Sequence, residues 1–107
     1  MSKTIRSLCA LTAVVLLASA VSFAQQAGEA IYKSKCQSCH GAEGTPNPGI
    51  AKAMGVKPAS DPSVKSMSEA QMIAATANGK GKMMAFKGKI TDAQIKDSVD
   101  YFRTFAK

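Results

Sequence analysis

The chain has 107 residues, with 14 Lys and Arg against 7 Asp and Glu, three Cys, six Met and no Trp, for a formal charge of +7. That length accommodates one small domain. It excludes a multidomain enzyme, a nucleotide-binding α/β domain and a membrane channel.

Residues 1–24 read as a secretory leader. Lys3 and Arg6 make a basic start, and Leu8 to Val21 is apolar apart from Thr12 and Ser19. Ser22 and Ala24 then supply the small residues that a cut before Gln25 requires. The apolar run of about 14 residues falls short of the roughly 20 that a spanning helix needs, which argues against an uncleaved anchor. Cys9 falls inside this leader as one more apolar residue. Lipid attachment there is disfavoured, because Arg6 and Leu8 stand where such a site wants an aliphatic and a small residue. The expected mature domain is therefore 25–107. Removing 24 of the 107 residues leaves 83, and the loss of Lys3 and Arg6 lowers the charge from +7 to +5.

Along the mature chain the first helix is predicted over Ala27 to Lys35, with Ala27, Ile31 and Tyr32 at helical spacing, and it runs directly into Cys36. Gly41 to Asp61 is predicted as loop, because Gly41, Gly44, Pro46, Pro48, Gly49, Gly55 and Pro58 interrupt it, with at most a turn around Ala51 to Met54. A second helix spans Ser68 to Asn78. It opens on a Ser68-Glu69-Ala70-Gln71 capping box, places Met72, Ile73 and Thr76 on one side, and ends at Gly79, which suits a left-handed cap. Gly79 to Lys89 is a second glycine-punctuated loop around Met83, Met84 and Phe86.

The last helix is predicted over Thr91 to Ala106, opening on the box Thr91-Asp92-Ala93-Gln94, with Ile95, Val99, Phe102 and Ala106 as its apolar stripe. Strand patterns and internal repeats are absent, so the fold class is all-α. A domain this short buries only about 60% of its unfolded surface. A bridge between Cys36 and Cys39 would close too small a loop to stabilise it much. A prosthetic group inside the fold is the expected supplement, with the long loops wrapped around it.

Cys36-Gln37-Ser38-Cys39-His40 is the c-type haem attachment pattern. Two thiols on one helical turn can add to the two vinyl groups along one haem edge, and the imidazole that follows is then presented to the iron. His40 is the only His in the chain. A thioredoxin-like pair would want strands around it, and a zinc site about four ligands. A structural CxxC with an incidental His is the bland alternative. The leader agrees with haem, since c-type attachment takes place outside the bacterial cytoplasm. For the sixth iron position Met83 and Met84 are candidates, because a neutral thioether favours Fe(II) and raises the potential. Adjacent in a loop, they cannot both point inward. Met54, Met67 and Met72 are further thioethers, with Met72 better read as packing.

These residues resemble the small monohaem class I cytochromes c of bacteria and photosynthetic organisms, including the c5- and c6-like short forms, over Ala27 to Lys107. The resemblance implies crossing N- and C-terminal helices and long loops around one covalently bound haem c. Gly28 and Tyr32 match the family's Gly and aromatic before the first haem Cys, and Tyr101 matches the aromatic of its last helix. Ser98 departs from the aliphatic residue commoner there. The family's ligand loop, Gly-x-Gly-x-Met-Pro-x-Phe, aligns with Gly79-Lys80-Gly81-Lys82-Met83-Met84-Ala85-Phe86. Met83 then takes the distal ligand position, with Met84, in the place of the Pro, as the alternative. The family also implies a Pro carbonyl that accepts the proximal imidazole Nδ1–H, matched by Pro48, with Pro46 second.

With Cys36 and Cys39 as thioether attachments and His40 and Met83 as axial ligands, no iron position stays open. The expectation is a monomeric periplasmic electron carrier rather than an enzyme. Lys80, Lys82, Lys87 and Lys89 bracket the ligand loop and would steer acidic faces of redox partners. An ordinary solvated lysine face is the plain alternative. Nucleic-acid binding and a membrane span after cleavage are not expected. A haem enzyme or gas sensor with an open sixth position, and an electron-transfer subunit of a larger oxidoreductase complex, are the competing functions.

Overall fold

A computed structural model describes residues 23–107, and the leader assigned to 1–24 lies outside these except for Phe23 and Ala24. No helix among the described residues is long and apolar enough to cross a membrane. The chain is helical from 23 to 40 (α1), and short helices follow at Pro48–Met54 (α2) and Pro62–Lys65 (α3). Glu69–Asn78 (α4) and Asp92–Arg103 (α5) complete the set. Among the described residues there is no strand, only isolated backbone pairings of Lys80 with Met83 and Lys87 with Ile90.

Both capping boxes form. The Ser68 hydroxyl accepts from the Gln71 N–H at 3.1 Å while the Gln71 side chain accepts from the Ser68 N–H at 2.9 Å. Thr91 and Gln94 repeat the exchange at 3.1 and 2.8 Å. Each box satisfies donors that the first turn of a helix leaves free. Gly79 follows α4 with a positive φ of 79°, but its ψ of 161° carries the chain outward in extended form instead of the expected left-handed cap. Only a residue without Cβ takes that combination readily.

Three boundaries differ from the sequence reading. α1 does not stop at Lys35 but continues through His40, with one wide turn at Tyr32–Cys36, where the Gln37 N–H reaches the Tyr32 carbonyl. α2 and α3 stand inside or just after the expected loop. Each has Pro in its first turn and a preceding side chain, Asn47 or Asp61, that accepts from a backbone N–H. α5 ends at Arg103 rather than Ala106, since the Thr104 hydroxyl turns back to the Tyr101 carbonyl at 2.6 Å.

The closely packed helix pairs are α4 with α5 and α1 with α5. On α1 the contact face is Gly28 and Tyr32, while Ala27 is exposed. A Cβ on Gly28 would collide with the Asp97 carbonyl of α5, so the bare backbone is what lets the two helices cross this closely. Above that crossing the Tyr32 ring lies 5.3 Å from Tyr101, 6.2 Å from Phe102 and 5.9 Å from Phe105. Ile95 and Val99 are buried beneath it. Ser98 is buried as well, its hydroxyl donating to the Ile95 carbonyl at 2.8 Å, which is how a polar side chain is tolerated there. Glu69 on α4 pairs with Lys96 and Arg103 on α5, each at 3.3 Å.

Candidate cofactor site

The end of α1 carries the site. Cys36, Cys39 and His40 fall at i, i+3 and i+4, and side chains at that spacing share one face of a helix. Both thiols are free and half-buried. Burial, and secondarily the neighbouring Cys39, push the Cys36 thiol up to about 11, so it stays protonated at neutral pH. Tyr32 locks the turn from below: its phenol donates to the Gly41 carbonyl, just past His40, at 2.6 Å. Burial raises that phenol to about 12.

His40 sits with its ring edge-on to Phe102 of α5, the centroids 5.3 Å apart. Burial lowers its pKa, which favours the neutral imidazole that can bind a metal. Its Nδ1 is buried and has no hydrogen-bond partner. Pro48 therefore does not accept from it, and neither does Pro46. As first residue of α2, Pro48 turns its carbonyl along that helix.

Met83 lies on a separate element, the loop after α4. It exchanges two backbone hydrogen bonds with Lys80, at 3.2 and 3.0 Å, so that Gly81 and Lys82 form the tip of a tight turn. Phe86, buried, anchors the loop: the N–H groups of Phe86 and Lys87 donate to the carbonyls of Thr76 and Ala77 on α4, both at 3.0 Å. Met83 is half-buried, whereas Met84 is 58% exposed with the Lys89 ammonium 3.9 Å from its sulfur. Met72 is buried and Met54 is exposed on α2. Lys80, Lys82, Lys87 and Lys89 are all exposed.

Cys36, Cys39 and His40 are thus brought together on one turn, and Met83 stands on a different wall. Among the described residues no group of three or more His, Cys, Asp and Glu is gathered to chelate a bare ion. The donor set, two free half-buried thiols and one imidazole whose pKa is lowered by burial, fits a haem taken up through two thioether bonds and one nitrogen ligand. Reading the sequence had not placed Phe102 against His40, although its apolar spacing on α5 was visible. The bond from Tyr32 to Gly41 and one from Lys82 to Ala53 had no sequence signal, because each joins residues whose meeting depends on the fold.

The family model described as cytochrome c oxidase, cbb3-type, subunit III matches residues 23–102. A solved structure, the KustC0563 c-type cytochrome, is similar to the chain with a TM-score of 0.67 and 29% identity, over 75% of this chain and 98% of its own. No curated protein matches.

Proposed function

Since the chain belongs to the c-type cytochrome family of cbb3-type oxidase subunit III, with the all-α fold of a small cytochrome c and the covalently bound haem c that the family implies, we propose that it is a one-electron carrier working with a single haem. Cys36 and Cys39 would hold the haem through thioether bonds, and His40 and Met83 would supply its two iron ligands. The observation that carries this reading is the turn Tyr32–His40, which holds two free thiols and one half-buried imidazole on one helix face, tied off by the bond from Tyr32 to Gly41. The half-burial of Met83 against the exposure of Met84 supports the choice between the two thioethers.

When bound, the haem supplies a reversible one-electron change at its iron. The residues of this chain do the rest. Phe102 and the aromatic group around Tyr32 fix the His40 ring, and the α4 carbonyls of Thr76 and Ala77 fix the loop of Met83. If His40 and Met83 both held the haem iron, substrate or gas would find no place to bind there, which would separate a carrier from a catalyst. The 25–107 domain would act in the periplasm, exported by the leader 1–24. Exposed Lys80, Lys82, Lys87 and Lys89 flank Met84 and give this side a positive field that suits an acidic redox partner.

The family description supports a second reading, an electron-transfer subunit held in a larger oxidoreductase. A pyridine haemochrome spectrum and intact mass on the exported product test the first reading. One haem per chain, both thiols modified and a start at Gln25 are expected, and a colourless folded product with free thiols would overturn it. Elution of the native protein as a monomer separates the carrier from the subunit.

A further inference from the structure

We propose that Lys82 is a positioning residue for the thioether ligand: its ammonium pins the Met83 loop to the C-terminal end of α2. The inference rests on the reading of Met83 as distal ligand and adds what holds it there. Helix α2 ends at Gly55 in the left-handed region, φ 68° and ψ 27°. The Gly55 N–H finds no hydrogen bond among the described residues, unlike the residues that follow α3, α4 and α5. The last carbonyls of α2 therefore lack the backbone cap its neighbours have. Lys82 supplies one from 29 residues away, its Nζ donating to the Ala53 carbonyl at 2.7 Å. A cation there satisfies an orphan acceptor and also meets the negative end of the helix dipole.

The position of this bond gives it its effect. Among the described residues it is the one hydrogen bond between the segment 41–66, which follows His40, and the loop 79–90, which carries Met83. On its other side the loop is held to α4 through Phe86 and Lys87. The tip, Gly81 and Lys82, projects beyond that anchorage, closed by the Lys80–Met83 pair. Lys82 and Met83 are joined by one peptide bond inside a tight turn, so fixing the Lys82 side chain on α2 fixes where Met83 stands. The loop is then supported from two sides, at Thr76–Ala77 and at Ala53. Lys80, two residues away and equally exposed, makes no such bond.

Displacement of the thioether by added imidazole measures how readily the loop opens, using the ferric, haem-loaded protein and its far-red sulfur-to-iron charge-transfer band. Losing a charge-assisted but exposed hydrogen bond should raise the apparent imidazole affinity of Lys82→Met by about three- to tenfold. Lys82→Arg, which keeps a cationic donor, should stay within about twofold of the wild type. Lys80→Met removes the same charge from the same loop without touching the bond and should also stay within about twofold. A Lys82→Met protein that binds imidazole no better than wild type, or no better than Lys80→Met, overturns the latch alone. A wild type without the charge-transfer band overturns the assignment of Met83, and the latch with it.

Discussion

Gly28→Ala tests the helix crossing on which the site is built. The added methyl would stand 2.9 Å from the Asp97 carbonyl carbon and 3.3 Å from the Tyr101 Cβ, with the Asp97 oxygen nearer still. The obstacle is the backbone of α5, which no rotamer change can move, so the helices must separate by about 1 Å or distort. Overpacking of this kind costs about 1–3 kcal/mol. Replacing a helical Gly by Ala returns roughly 0.5–1 kcal/mol in backbone entropy. The separation also loosens the rings that Tyr32 packs against on Tyr101, Phe102 and Phe105, pairs worth about 0.5–1.5 kcal/mol each when well seated. A net loss of about 2 kcal/mol follows, which lowers Tm by roughly 8–15 °C in a domain of this size.

Thermal unfolding of the haem-loaded protein, followed by circular dichroism, reads that shift. Gly49→Ala is the comparison. Gly49 lies inside α2, and its nearest obstacle is the Asn47 side-chain oxygen at 3.2 Å, so the change should stay within about 0.5 kcal/mol. If Gly28→Ala melts at or above the wild-type temperature, the reasoning from close backbone approach fails.

Three further outcomes follow from the same contacts. Thr91→Ala removes the acceptor for the Gln94 N–H at the start of α5 and should cost about 1 kcal/mol, measured as a lower denaturant midpoint with unchanged slope. Tyr32, raised to about 12 against the ordinary value near 10, holds its proton longer folded than unfolded. Its contribution is complete below pH 10 and is lost as pH rises through 12, at up to about 1.4 kcal/mol per pH unit. Tyr32→Phe should be less stable at neutral pH but flatter across that window, and parallel curves would refute the assignment. Met83→Ala should speed carbon monoxide binding to the reduced protein and lower the reduction potential, while Met84→Ala changes both far less; equal effects would undo the choice of ligand.

The candidate attachment turn Cys36–His40 could be picked out from sequence because its five residues are consecutive and the pattern does not depend on the fold. Helices α4 and α5 were legible for a similar reason: each announces its start with a capping box that spans four residues. α2 was hidden because the Gly and Pro of 41–61 were read as breakers, and the four-residue α3, just beyond them, is too short to show a periodic pattern. Asn47-Pro48 and Asp61-Pro62 are in fact cap and first turn, a pattern in which proline starts a helix. The extension of α1 through His40 was hidden too, since what holds the last turn is a bond from Tyr32 to Gly41 across nine residues. Spacing alone grouped Ala27 with Ile31 and Tyr32, yet Ala27 is exposed, and the contact is made by Gly28, which the family resemblance had pointed to. An interface that demands backbone contact selects the residue with least to bury.

The distribution of the core separates two kinds of rigidity. Tyr32, Met72, Ile95 and Val99 are buried among α1, α4 and α5, while the whole of 41–66 contributes only Pro46 and Ala59 as buried apolar side chains. His40 therefore stands on the packed wall, with Phe102 against its ring. Met83 stands on a loop held by two carbonyls of α4 and one lysine. Apolar packing couples a residue to the global unfolding of the domain, whereas exposed hydrogen bonds can open locally. Substitutions on the α1–α5 crossing, or at the buried Phe86, should then lower the stability of the whole domain, and substitutions at the exposed tip 80–82 should change ligand exchange and leave Tm nearly unmoved. If His40 and Met83 hold the iron as proposed, ligand exchange is expected on the hinged side, that of Met83 and Lys82.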